Sequence, residues 1–144
     1  MMEEMKYVPL LQKVRQYDAR VMKAEKVLRM ATIDGAKALG LDREIGSIEI
    51  GKKADLITVD FRKLHLTPVL TQSYNNIVSN LVYSAQGSEV RNVMVDGKLL
   101  MDNRKLTTVD EEEVIREGQL AAEQLLERRE VYIPKEYRFQ GETV

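Results

Sequence analysis

Apolar residues keep helical spacing ahead of Gly46 and alternate with polar ones just after it. They then trace a short helix, a second hairpin and one long helix. The turning point is GSIEIGKKADLITVD, Gly46 to Asp60. Within it Ser47-Ile48-Glu49-Ile50 alternates, and Leu56-Ile57-Thr58-Val59 is a β-branched run. Two strands joined at Gly51-Lys52-Lys53 are the simplest expectation, because glycine supplies the positive φ a tight reversal needs.

Ahead of that stretch, Met2 to Gln16 reads as a helix whose apolar face takes in Met1, Met5, Leu11 and Val14. Pro9 is expected to kink or restart it, since proline removes a backbone donor and crowds the preceding turn. No N-cap residue precedes this helix. Gln16 to Arg20 is a polar break. Lys23 to Thr32 and Asp34 to Leu39 are two short helices, the first with an Ala24, Val27, Leu28, Ala31 stripe. Gly40 is the C-terminal stop of the second.

Behind the turning point, Phe61 to Ser73 is an irregular connection carrying His65 and Pro68. Asn75 to Ala85 is helical by pattern, with Ile77, Val78, Leu81, Val82 and Ala85 on one side and Gly87 ending it. Val90 to Met101 is a hairpin around Asp96-Gly97, a pair that favours a type I′ turn. Thr108-x-x-Glu111 has the form of a capping box before a helix reaching about Arg129. Val114, Gly118, Ala121, Ala122 and Leu125 are expected to line its buried side. From Ile133 on, a docked arm or a loose tail is expected.

Composition narrows the chemistry. A length of 144 residues suits one ordinary domain. With 22 Lys+Arg against 23 Asp+Glu the net charge is -1, which argues against a nucleic-acid partner. The absence of cysteine excludes disulfides, thiolate metal sites and a Cys nucleophile. No apolar run approaches the length of a membrane span, and the first residues lack a signal-peptide pattern, so a cytoplasmic location is expected. There is one histidine, His65.

His65 could be a ligand, but no other ligating residue stands at metal spacing, and a surface or packing role is the expectation. Asp55 could be a catalytic carboxylate; an aspartate at a strand entrance more often bonds nearby backbone amides. Asp34-Gly35 reads as a helix start rather than a phosphate cradle. Lys52 and Lys53 read as solvated turn residues rather than an anion site.

Taken together, MATIDGAKALGL followed by GSIEIGKKADLITVD, then LVYSAQGSEVRNVMVDGKLLM and VDEEEVIREGQLAAEQLLERR, resemble the C-terminal end of the amidohydrolase superfamily. MMEEMKYVPLLQKV is most similar to the helix after the eighth barrel strand in methylthioadenosine/S-adenosylhomocysteine deaminases and chlorohydrolase-like aminohydrolases. The resemblance implies an α+β chain made of the last helices of a TIM barrel and part of a small β-sandwich (composite) domain. Residues 1–44 would be barrel helices and 45–106 a partial composite domain with an inserted helix at 75–85. Residues 107–130 would be the closing helix and 131–144 a tail.

The resemblance also implies metal-dependent hydrolysis of a C–N bond, with a divalent zinc or iron held by a His-x-His pair, further histidines and an aspartate. One imidazole cannot supply that set, so no catalytic, cofactor-binding or metal residue is assigned to this chain. The expectation is the C-terminal section of a deaminase: a truncated reading frame, an engineered piece or part of a split protein, inert by itself. Chlorohydrolase, guanine deaminase or cytosine deaminase ancestry is the nearest alternative. A free-standing scaffold or oligomerisation module is an alternative of another class. Unpaired hairpin edges point to a homo-oligomer, or to the N-terminal portion of the same enzyme, as the partner.

Overall fold

The computed structural model describes residues 1–132, and the chain divides into two units, Met1–Thr107 and Thr108–Val144. The expectation for the stretch from Ile133 lies outside the described residues.

In the first unit, α1 (Met2–Gln16) runs through Pro9 as one helix and does not restart there. Its buried face holds Met5 and Pro9, with Met2 and Val8 packed alongside. Met1, Leu11 and Val14 are exposed instead. Leu11 and Val14 stand six and nine positions beyond Met5, which turns them about 120° and 180° around the helix from it. The helix closes at Tyr17, whose φ of 50° is left-handed, with Tyr17 N donating to Val14 O and Asp18 N to Lys13 O.

The stripe expected on α2 (Ala24–Ala31) is present: Ala24 and Val27 are buried, and Leu28 and Ala31 pack against them. α3 (Ile33–Ala38) stops at Gly40, where φ is 71° and Leu41 N donates to Ala36 O at 2.9 Å. α4 (Ile77–Tyr83) is shorter than the pattern suggested. Met5, Ala24, Val27 and Val82 form the apolar core among α1, α2 and α4. Lys13 Nζ on α1 donates to the Tyr83 hydroxyl on α4 at 2.7 Å, a polar tie beside that core.

The sheet differs from the two-hairpin expectation. β1 (Leu56–Val59), β2 (Val90–Val95), β3 (Lys98–Asp102) and β4 (Lys105–Leu106) form one antiparallel sheet in that order. β1 pairs with β2, matching Leu56 to Met94 and Thr58 to Asn92. Ser47–Ile50 is not a strand. Gly46 and Gly51 bend the chain at either end with φ of 91° and 92°, and Lys53 N donates to Glu44 O at 2.8 Å, so the stretch closes into a loop. Ile48 and Ile50 are left exposed. Gly46 is also a close approach: a Cβ there would meet Ala36 Cβ at 2.7 Å.

The β2–β3 hairpin turns at Asp96-Gly97 with φ of 49° and 76°, as type I′ requires. β4 was not anticipated. Asn103 and Arg104 make the same reversal without glycine, at φ of 49° and 69°. Asn103 N donates to Asn92 Oδ1 at 2.7 Å, which braces it.

In the second unit, α5 spans Glu111–Tyr132. Its cap is Asp110 rather than Thr108: Asp110 Oδ1 accepts from Glu112 N at 3.1 Å and Glu113 N at 3.2 Å. That makes Glu111 the first helical residue, so it cannot close a box with Thr108. Val114, Gly118, Ala121, Ala122 and Leu125 are exposed, not buried. A helix taken alone has nothing against which to bury a stripe.

Candidate functional site

The densest polar arrangement lies where α4 gives way to β2, at a residue the spacing arguments passed over. Gly87, with φ of 103°, turns the chain so that Glu89 points inward, and Glu89 is fully buried. Four donors meet its carboxylate. Gln86 N and Gly87 N reach Oε2 at 3.1 and 2.8 Å. Ser88 Oγ and His65 Nε2 reach Oε1 at 3.2 and 2.5 Å. Burial works to raise the pKa of this group. Its own backbone N–H, His65 and the amides of Gln86 and Gly87 outweigh that and hold it at about 2. Glu89 O also accepts from Asp60 N at 2.8 Å, at the far end of β1. One residue thus joins α4, β1, β2 and the loop carrying His65.

His65 is 39% exposed, and its Nε2 is bonded to Glu89. Its partner stands 24 residues on, and its neighbour Leu66 is buried. Asp55 likewise bonds a backbone amide: Asp96 N donates to Asp55 Oδ1 at 2.7 Å, pinning the β2–β3 turn. Asp34 lies at the start of α3 and accepts from Lys26 Nζ at 2.8 Å and Arg29 at 3.0 Å. The Lys26 hydrogen bond leads in holding its carboxyl below the usual range.

Lys52 departs from expectation. It is only 11% exposed, and its ammonium donates to Asp42 O and Ser47 Oγ, both at 2.6 Å. Glu49 lies 3.2 Å away, completing the donor's set. The loop's own oxygens enclose this charge. Lys53 does reach solvent, beside Glu44 at 2.8 Å.

These residues are not brought together. Among the described residues no group of three His, Cys, Asp or Glu side chains could hold a metal ion. Chemistry agrees with geometry: His65 Nε2 is committed to Glu89, and four donors already occupy the Glu89 carboxylate. The described residues do not fit the zinc or iron of the resemblance. An open hollow of about 480 Å³ beside β1 and β2 is lined by Asp60, Arg91, Asn92, Asp102 and Asn103, among others. Arg91 and Asn103 are bonded to each other there at 2.9 Å, and Asp60 to Arg62. Glu89 carries no sequence signal except its place two residues after a glycine that ends a helix.

Residues 1–100 match the Amidohydrolase family. The 5′-deoxyadenosine deaminase of Methanosarcina acetivorans is 49% identical over 126 residues, covering 88% of this chain and 28% of that protein. The 5-methylthioadenosine/S-adenosylhomocysteine deaminase of Thermoanaerobacter pseudethanolicus is 44% identical, covering 89% and 28%. This chain therefore spans little more than a quarter of the curated relatives it matches.

Among solved structures, a zinc-bound adenosine deaminase from Xanthomonas campestris superposes with a TM-score of 0.78 at 33% identity, over 86% of this chain and 27% of that one. A zinc complex of atrazine chlorohydrolase from Arthrobacter aurescens gives 0.70 at 20% identity, over 83% and 26%, a likeness of fold alone. With its first hundred residues matching that family and deaminases aligned along most of its length, this chain belongs to the amidohydrolases.

Proposed function

We propose that this chain is the C-terminal section of a cytoplasmic hydrolytic deaminase acting on 5′-substituted adenosine-type nucleosides. It supplies framework to that enzyme and not metal ligands. The observation that carries the reading is the 49% identity to a 5′-deoxyadenosine deaminase over 88% of the chain. In this reading α1 to α3 are the closing helices of a barrel, and the sheet with α4 is part of a composite β domain. The metal would be held by residues elsewhere in the enzyme. Two features support a framework role: Asp55 and Lys52 are bonded to backbone, and the one imidazole is bonded to Glu89.

The test is deamination of 5′-deoxyadenosine with zinc present, followed by the adenine-to-hypoxanthine absorbance change. The chain alone should give no turnover. Mixed with a separately expressed polypeptide covering the remaining length of a deaminase relative, it should restore turnover. Metal-dependent activity from the chain alone, or no activity from the mixture, overturns the proposal.

A further inference from the structure

The joint between the helices and the sheet is the loop of residues 42–53, shaped by its two glycines. Gly46 presses on α3, where a Cβ would come within 3.0 Å of Ile33 Cα and 2.7 Å of Ala36 Cβ. Gly51 turns the chain with φ of 92°, and Lys52 then reaches back across the loop to Asp42, ten residues earlier.

A lysine ammonium carries three N–H donors, and three oxygens of the loop receive them. The Asp42 carbonyl and the Ser47 hydroxyl stand at 2.6 Å, and Glu49 Oε1 at 3.2 Å. The neutral oxygens are nearer than the carboxylate, so this is more than an ordinary ion pair. Oxygen dipoles arranged in this way replace the hydration shell of a monovalent cation. Ser47 Oγ accepts from Lys52 and donates to Glu49, which closes the set into a ring. The Ser47 and Lys52 hydrogen bonds hold the Glu49 carboxyl below its usual range. Lys53 next door has no such set; it is 49% exposed beside Glu44.

We propose that Asp42 O, Ser47 Oγ and Glu49 form a monovalent-cation site that the chain fills with its own ammonium, Lys52, and that this captive charge fastens the sheet to α3. Each of these groups belongs to residues 42–52, so the site does not depend on what the remaining length of a relative packs against it. The fastening follows from position. The next residue, Lys53, donates its N–H to Glu44 O at 2.8 Å, and β1 begins at Leu56. Removing the charge would leave the Asp42 carbonyl and the Ser47 hydroxyl converging on a space with no donor in it. Ammonium and potassium, close to each other in radius, are the free cations whose chemistry fits that space. The inference stands apart from the deaminase reading and survives its failure.

The full chain, labelled with nitrogen-15, supplies the test. A solvated lysine ammonium at neutral pH exchanges its protons too fast to be seen by magnetic resonance, whereas an enclosed one is protected. Lys52 should give a proton–nitrogen ammonium signal that disappears in Lys52→Met, and Lys53 should give none. Ser47→Ala keeps the lysine but opens the ring, and should broaden that signal away. In Lys52→Ala, amide exchange at Lys53 should quicken about tenfold or more, with protection at Val27 and Val82 unchanged. Ammonium or potassium chloride should restore the protection saturably, and tetramethylammonium chloride at equal ionic strength should not. No Lys52 ammonium signal, an undiminished one in Ser47→Ala, or a Lys52→Ala recovery that is absent or equal in all three salts overturns the proposal.

Discussion

In the helical part of the first unit Met5, Ala24, Val27 and Val82 are buried together, whereas no residue of β1 to β4 is buried. The helices cohere by apolar contact. The sheet coheres by its ladder and by polar side chains fastened to backbone at its corners: Asp55 on the Asp96 amide, Asn92 on the Asn103 amide, Glu89 on Gln86 and Gly87. A small apolar core tolerates partial loss because its neighbours can relax. A buried carboxylate with four donors does not, since removing it strands several groups at once.

The contrast can be broken most severely at the junction. Glu89→Ala leaves His65, Ser88 and two amides without their acceptor, and should cost roughly 4 kcal/mol by urea denaturation. A loss below that of a core valine truncation would refute the ranking.

Acidification sharpens the same point. The Glu89 carboxyl sits at about 2 in the fold against an ordinary 4.5. Its contribution is complete above the ordinary value and is lost as pH falls through the folded one, an effect on the order of 3 kcal/mol. Stability measured against pH should fall across that window in the wild type. It should fall less steeply in Glu89→Gln, which has no carboxyl to titrate.

Val27→Ala, in the helical core, should cost about 2 kcal/mol through lost apolar contact and a residual cavity, read as a lower thermal midpoint. Asp55→Ala removes one side-chain-to-backbone bond at the β2–β3 turn and should cost about 1 kcal/mol. Amide exchange should quicken at Asp96, while protection at Val27 and Val82 stays unchanged. The smallest effect belongs to the second unit. Val114→Ala on exposed α5 should change the unfolding free energy read by urea denaturation by less than about 0.5 kcal/mol.

Much of the architecture follows from local rules. The Ala24-Val27 stripe, the stop at Gly40 and the Asp96-Gly97 turn need only nearest neighbours, and each is where its pattern places it. The family was equally legible, because Gly46, the Gly51-Lys52 step and the Asp-Gly hairpin stand at fixed intervals. Patterns that depend on what lies opposite were not legible. Ser47–Ile50 alternates as a strand should, but pairing needs a neighbour, and β1 found its own in β2, more than thirty residues on. Lys52 reads as a solvated turn residue until the chain folds its own oxygens around it.

By itself, then, the sequence determined the helices, the tight turns and the kinship with amidohydrolases, since spacing and backbone conformation are encoded within a few residues. It also determined that one imidazole is all this chain has to offer. Only tertiary structure decided where that imidazole is used. His65 and Glu89 are far apart in sequence, and a hydrogen-bonded side-chain pair is fixed by which elements meet in space. The same holds for β1: its residues give it β propensity, but its pairing with β2 is set by the fold.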